Sequence, residues 1–583
     1  RDPALDGGRG EICGGGLIEI TQGKRMARKP KTRKSAATNS AKSGGLESES
    51  VKQRLDELFS TWNRTDAPGL VVGVAKEGAL LYRRGFGMAS LETSLANSPS
   101  TRMRIGSTSK HFTALLALLL AEDGKFDLDQ PIRHYLPELT GPGGDPSSRL
   151  LLQHRGGSRC YLDLAMTCRG LASPPRGDAL KAQIRQKGRN FAPGDAMIYN
   201  NGGYHLVSIA LERVGGAPFE DQLKARLFDK VGMPDTASVP SDRLITPRVA
   251  TFHVPGPGGA WYRGLFPSDE VRGEGAIIST IDDMLRWMAH LKRRDLFGSK
   301  KTWAELVELP AYADGTKGSY ALGLMRQTYR GVEMMHHAGG VFGGTSQMLM
   351  VPDHGLDVVI MANGAPNANV VRLAEQVVDI VLEDRLAEVS APMAAKDHKA
   401  LLGAWASEKT GMILNFIDEG GALKLGFAGM PQGLPLERRG EKRLATPAGG
   451  IGEIEIALDG EDRLETIFGG ERARYRKVSP LGSKGTRAKA FAEAAGGRYR
   501  SEDGDCTATI SREGEGLSIR FADPFGQVGA KLVPMGEALA ATSPASPFSM
   551  HYAALNFDKK GERMSGFRLN TVRTRNLAFE REE

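Results

Sequence analysis

Ser107-Thr108-Ser109-Lys110 runs directly into His111-Phe112-Thr113-Ala114-Leu115-Leu116-Ala117-Leu118-Leu119-Leu120, and this stretch decides how the whole chain reads. It is the chain's one Ser-x-x-Lys. Residues three apart share a helix face, so the Lys110 amine can lie beside the Ser107 hydroxyl. A serine hydroxyl attacks poorly until a neighbour takes its proton, and a desolvated lysine can be that neighbour. The start of a helix also favours negative charge developing at the serine. The apolar run behind Lys110 is apolar on every side, as a central buried helix is.

Two downstream motifs fit the same chemistry. Phe191-Ala192-Pro193-Gly194-Asp195 reads as a turn, and Tyr199-Asn200-Asn201 follows at the mouth of a second helix, His205–Leu211. A tyrosine beside a lysine can relay a proton, and an Asn amide can hold a substrate carbonyl. Further on, His337-Ala338-Gly339-Gly340 stands ahead of the strand-like Ser346–Val351. Glycines there let a substrate approach an exposed backbone edge.

Ser-x-x-Lys, Tyr-x-Asn and His-x-Gly in this order resemble the penicillin-recognising serine hydrolases, which include class C β-lactamases, DD-peptidases, related esterases and D-aminopeptidases. The resemblance spans roughly Leu46 to Glu388. It includes an opening hairpin (Pro68–Ala75, Leu80–Gly87), the stretch Phe126–Pro137 after the serine helix, and the segment Gly275–Met284. It implies Ser107 as the acylated nucleophile, Lys110 as its proton acceptor and Tyr199 as the partner base. It implies that Asn201, His337 and Gly339 bind substrate, and that the backbone N–H groups of Ser107 and Gly340 form the oxyanion hole. His337 stands where most β-lactamases carry a lysine. A histidine is mostly neutral near pH 7, so a substrate carboxylate is expected to be held less strongly there. The chain departs from the family at His154–Tyr161, a loop that usually borders the cleft. His154 and Cys160 are read there as residues without a chemical role.

The expected fold is α+β, with helices packed on an antiparallel β-lactamase/transpeptidase-like sheet, followed by two small all-β antiparallel barrels. The boundaries read as a basic disordered tail (1–45), a hydrolase domain (46–388) and barrels at 397–478 and 488–583. The barrels are inferred from an internal echo. Leu402-Gly403-Ala404-Trp405-Ala406-Ser407-Glu408 is matched by Gly496-Gly497-Arg498-Tyr499-Arg500-Ser501-Glu502, and similar alternating runs follow each. A hydrolase domain with two homologous barrels resembles the D-aminopeptidase branch, whose second barrel sends a loop into the active site. Met535–Pro547 and Asp523–Gln527 are the two candidate loops.

At 583 residues the chain is long enough for several domains. Apolar content of 40% and charged content of 25% are those of a globular protein. The net charge of +8 equals the eight Lys/Arg between Lys24 and Lys42, and such a run reads as a solvated tail. No nucleic-acid-binding signature accompanies it. Four scattered cysteines give neither a disulfide framework nor metal-ligand spacing, so free thiols in the cytoplasm, no metal and no cofactor are expected. No apolar run is long enough for a membrane helix, and no secretory leader is read. The natural start is read at Met26, with Arg1–Arg25 upstream of it. The expected substrate is a small peptide, amide or ester cleaved through an acyl-enzyme, foremost a peptide with an N-terminal D-residue. An esterase, a weak β-lactamase and a non-catalytic peptidoglycan-binding scaffold are the alternatives, and a homodimer is the assembly allowed for.

Overall fold

The computed structural model describes residues 49–312, 315–388, 393–427, 433–446, 453–482, 485–544 and 552–583. The basic tail with Cys13 and Met26, much of the 389–396 linker and the end of the Met535–Pro547 insertion lie outside the described residues.

A six-stranded antiparallel sheet organises the hydrolase region. Its strands are β1 (Leu70–Lys76), β2 (Ala79–Phe86), β3 (Met325–Tyr329), β4 (Val332–Val341), β5 (Gly344–Val351) and β6 (Leu356–Ala362), in the order β3-β4-β5-β6-β1-β2. The two ends of the region meet at the centre, where Leu70 pairs with Ala362 and Lys76 with Leu356. β1 is flanked on both sides, which is why Leu-Val-Val-Gly-Val-Ala reads as a continuous apolar run.

The period of two divides its side chains between two cores. Leu70, Val72 and Val74 join Val358 and Ile360 under Leu55, Phe59, Leu373 and Val377 of the first and last helices of the region. Val71, Val359 and Met361 face the opposite way, toward the serine helix Lys110–Glu122. Every residue from Lys110 to Leu120 in that helix is buried. The helix Val370–Val381 begins where Asn369 accepts the Arg372 N–H at 3.1 Å. The segment after Gly275 becomes the strand Ile277–Ser279 and the helix Ile281–Arg293, capped by Thr280.

The C-terminal region is β-rich, with the echoed segments in equivalent strands. Gly403–Ser407 and Gly497–Ser501 each open a unit. The first unit is a nine-stranded sheet whose two edge strands, Leu434–Pro435 and Glu437–Gly440, are consecutive in the chain, so the sheet rolls back toward itself. The second is a closed eight-stranded barrel in which Tyr499 pairs with Arg581. One helix, Thr486–Ala495, precedes it where the sequence reads mainly strands. Its alanines favour helix, and Phe491 and Ala495 pack into the barrel core.

That core extends into the hydrolase region. Leu164 and Cys168 of the helix Tyr161–Arg169 belong to the same apolar cluster as Tyr499, Phe521 and Phe567. Cys168 Sγ lies 2.7 Å from Cys506 Sγ. The fold thus places Cys168 against the barrel. Arg159, 3% exposed, meets Asp503 at 2.6 Å across the same junction.

Candidate active site

Ser107 lies in a short 3₁₀ turn, Gly106–Ser109, that leads into the serine helix. The turn is seated on an edge of the sheet. β3 pairs with β4 only between Val332 and His336, so the rest of β4 has that edge free. Thr108 donates to the His337 carbonyl at 3.0 Å, and Ser346 donates to the Ile105 carbonyl at 2.7 Å. Gly106 has φ +51°, and a Cβ there would stand 2.8 Å from Gly340 N. The backbone beside the nucleophile therefore approaches Gly340 closely. Gly339 serves the same fit, since its Cβ would lie 1.9 Å from the Ile105 oxygen. Gly339, expected to bind substrate, is thus packed against the residue that precedes the serine turn.

Lys110 has no exposed surface. Its Nζ lies 3.0 Å from Ser107 Oγ, 2.8 Å from Asn201 Oδ1 and 2.7 Å from the Glu274 carbonyl oxygen. Burial lowers its pKa to about 7, with the Arg573 charge acting in the same direction and Glu274 opposing. At that value much of the amine is neutral near pH 7. A neutral amine has two N–H groups and one lone pair. Asn201 and Glu274 present oxygens that only accept, so both N–H groups are taken and the lone pair is left for the Ser107 O–H. Asn201, the first residue of the helix Asn201–Gly215, thus aims Lys110 through its side-chain carbonyl.

Tyr199 stands just ahead of that helix, and its ring lies 4.9 Å from Lys110 Nζ. Burial raises its pKa, while Ser107 and Arg573 favour the ionised form more weakly. Ser107 acts on it as a partner in this way, yet no hydrogen bond of good geometry closes on the Tyr199 hydroxyl. Burial thus favours the protonated phenol near neutral pH.

His337 reaches the site with both ring nitrogens engaged. Nδ1 donates to the Ala338 carbonyl at 2.6 Å, and Nε2 accepts from the Tyr320 hydroxyl at 2.9 Å. Burial, first, and then Lys110 hold its pKa well below the usual histidine value. It is a neutral wall of the site. His154, read from sequence as a loop residue without a chemical role, packs beside the site. Its ring packs 4.2 Å from Tyr199, and its Nδ1 accepts the Asn200 N–H at 3.0 Å. Cys160 precedes Tyr161 at the start of the neighbouring helix and is fully buried.

Two groups escape sequence reading. Glu274 is buried, and burial works to raise its pKa, but His205 and Tyr161 outweigh burial and keep it below the usual value. Tyr161 donates to Glu274 Oε1 at 2.5 Å, and the Arg272 N–H to Oε2 at 3.1 Å. Its only signal was adjacency to the Gly275 segment. Arg573 comes from the last turn of the barrel, Thr571–Asn576, and its guanidinium lies 5.2 Å from the Tyr199 ring centroid. Among the described residues, neither candidate loop takes this place. Asp523 is held by Arg169 at 2.5 Å, and Phe525 packs under the same arginine. Met535 and Leu539 pack with Met412 and Ile413 of the first β unit.

Among the described residues no group of three or more His, Cys, Asp or Glu is placed to hold a metal, and no helix is long and apolar enough to cross a membrane.

The β-lactamase family model matches residues 50–382. A D-aminopeptidase of Cereibacter sphaeroides is 29% identical over 422 residues, 71% of this chain and 76% of its own. A D-aminopeptidase of Brucella anthropi is 27% identical over 499 residues, 82% of this chain and 89% of its own. Among solved structures, the octameric penicillin-binding protein homologue from Pyrococcus abyssi shares the fold, with a TM-score of 0.51 at 21% identity over 76% of this chain and 100% of its own. With the family match covering more than half the chain, and Ser107 and Lys110 in contact at the sheet edge, this chain belongs to the β-lactamase family and is a serine hydrolase.

Proposed function

We propose that the enzyme is a D-stereospecific aminopeptidase or amidase that releases N-terminal D-residues through an acyl-enzyme on Ser107. The observation that carries this reading is the buried Lys110, whose Nζ lies 3.0 Å from Ser107 Oγ and whose pKa burial lowers to about 7. The substrate class is supported by the relatives named D-aminopeptidase, which match across most of both chains.

Neutral Lys110 takes the Ser107 proton as Oγ attacks the amide carbonyl. The backbone N–H groups of Ser107 and Gly340 receive the developing oxyanion; one such donor is worth roughly 2.7–4 kcal/mol to the transition state. The Tyr199 hydroxyl gives its proton to the departing amine, with Lys110 close enough to the same ring to restore it. Water then attacks the acyl carbon, and Lys110, neutral again, takes its proton. That proton passes to Ser107 Oγ as the acyl–oxygen bond breaks and the free acid leaves. A cytoplasmic location accompanies this reading. The three described cysteines are unpaired thiols, which suits a reducing compartment.

The test compares wild type with Ser107→Ala on D-alanine p-nitroanilide, its L enantiomer, p-nitrophenyl butyrate and nitrocefin. The expected result is a strong D-over-L preference that disappears in the variant. Ester cleavage without anilide cleavage would instead make the protein an esterase.

A further inference from the structure

Arg573 is the second cation in the site, and it enters from the far end of the chain. The turn that carries it is fixed at several points. Thr571 and Thr574 donate to Asp163 Oδ2 at 2.7 and 2.6 Å. Asn190 Nδ2 donates to the Arg573 carbonyl at 2.9 Å, and Asn190 Oδ1 accepts the Arg575 N–H at 2.8 Å. Arg159 donates to the Arg575 and Asn576 carbonyls at 3.0 and 2.9 Å. A turn anchored in this way holds the backbone of Arg573 at a set place.

The charges around Arg573 are one-sided. Its neighbour Arg575 pairs with Glu471 at 3.6 Å, but no carboxylate among the described residues forms an ion pair with Arg573. The two acids nearest the machinery are already committed, Glu274 to Tyr161, His205 and Arg272 N–H, and Asp163 to the two threonines. The site thus offers a partly exposed guanidinium with no counter-charge, beside the group that protonates the leaving amine. His337 is held neutral by burial, and both of its ring nitrogens are engaged.

We infer that Arg573 is a substrate-anion subsite that takes the free carboxylate of the departing amino acid, so that the preferred substrates are short peptides ending one residue after the scissile bond. This rests on the reading that the enzyme cleaves peptides after an N-terminal D-residue. A guanidinium presents a planar fork that matches a carboxylate, and such charge-assisted pairs are the stronger hydrogen bonds. The geometry suits the leaving side. In an amino acid the carboxylate carbon lies about 2.5 Å from the nitrogen, and that nitrogen receives its proton from Tyr199, under the guanidinium. The substrate ammonium is kept on the acyl side, because next to Arg573 it would meet like charge.

The test uses D-alanyl-glycine and D-alanyl-glycine amide with wild type, Arg573→Gln and Arg573→Lys. Wild type is expected to favour the acid by roughly ten- to hundredfold in kcat/KM, mainly through KM. Arg573→Gln should bring the ratio to about one, and Arg573→Lys should restore part of it. The Gln variant should also move the acid limb of the pH profile upward, since Arg573 helps to hold the Lys110 pKa down. Equal rates on acid and amide in wild type, or a preference that survives Arg573→Gln, would overturn the inference. Calorimetric titration of both peptides into Ser107→Ala and Ser107→Ala/Arg573→Gln answers the same question without turnover. Tighter binding of the acid that is lost with Arg573 supports it, and equal or undetectable binding of both peptides overturns it. Failure of the aminopeptidase reading would appear separately, as absent D-over-L preference.

Discussion

Lys110 shows how one side chain is turned from a surface cation into a base. Nothing in its covalent structure differs from any other lysine; burial supplies the shift, and two acceptor oxygens supply the direction. Activity should therefore rise along an acid limb with a midpoint near pH 7 in kcat/KM, which a pH-rate profile on a neutral substrate measures. Asn201→Leu removes the acceptor that aims the amine, so it should lower kcat far more than it changes KM. The same shift affects stability. The folded protein releases the Lys110 proton near pH 7, whereas the unfolded chain keeps it to the ordinary 10.5. Between these values the unfolded state binds more protons, so this residue makes stability rise with pH across that window, and its penalty is greatest below about pH 7. Denaturant melts at pH 6.5 and 8.5 for wild type and Lys110→Met test the sign: the variant's advantage should shrink at the higher pH.

Three elements build the site by meeting at one edge: the serine turn, β4 and the start of the helix Asn201–Gly215. The contact between the first two has no slack. Gly106→Ala would place a Cβ at positive φ and 2.8 Å from Gly340 N. About 1–3 kcal/mol of backbone strain and a large loss of kcat are expected, read by thermal denaturation and turnover together. The turn at Thr571–Asn576 is a fourth element, moored by Asp163, Asn190 and Arg159. Asp163→Ala should release it while leaving Ser107 and Lys110 untouched. KM should rise, with kcat on a p-nitroanilide changed little. An unchanged KM for peptides would show that the turn holds its place without Asp163.

At the scale of the molecule the β units are part of the enzyme rather than appendages. The first reaches the site through its Gly469-Gly470 turn, whose Gly469 carbonyl accepts the Met197 N–H at 2.8 Å, two residues before Tyr199. The second shares an apolar core with the helix Tyr161–Arg169 and joins it through the buried Arg159–Asp503 pair. Arg159→Ala leaves Asp503 without its cation and two turn carbonyls without a donor. A loss of about 3–5 kcal/mol is expected. Calorimetry should then show the barrel melting ahead of the hydrolase region; a single unshifted transition would show that the junction does not depend on this pair.

Ser107, Lys110, Tyr199 and Asn201 were readable from sequence because each sits beside a helix start whose apolar pattern is local. The antiparallel sheet was readable in part for a similar reason, since β1 is an apolar run that only a central position can satisfy. The echo between the two β units marked their strands, because period-two alternation is also local. What the sequence could not supply was contact between distant segments. Arg573 is one arginine among many until the barrel closes and Asp163, Arg159 and Asn190 fix its turn over Tyr199. His154 and Glu274 are ordinary loop residues until folding buries them beside Lys110 and Tyr199. Chemistry that depends on residue type and short spacing was therefore set by the sequence itself. The protonation states and the charge presented to a substrate were decided by tertiary structure alone, because desolvation and Coulomb interactions depend on distance in space, not along the chain.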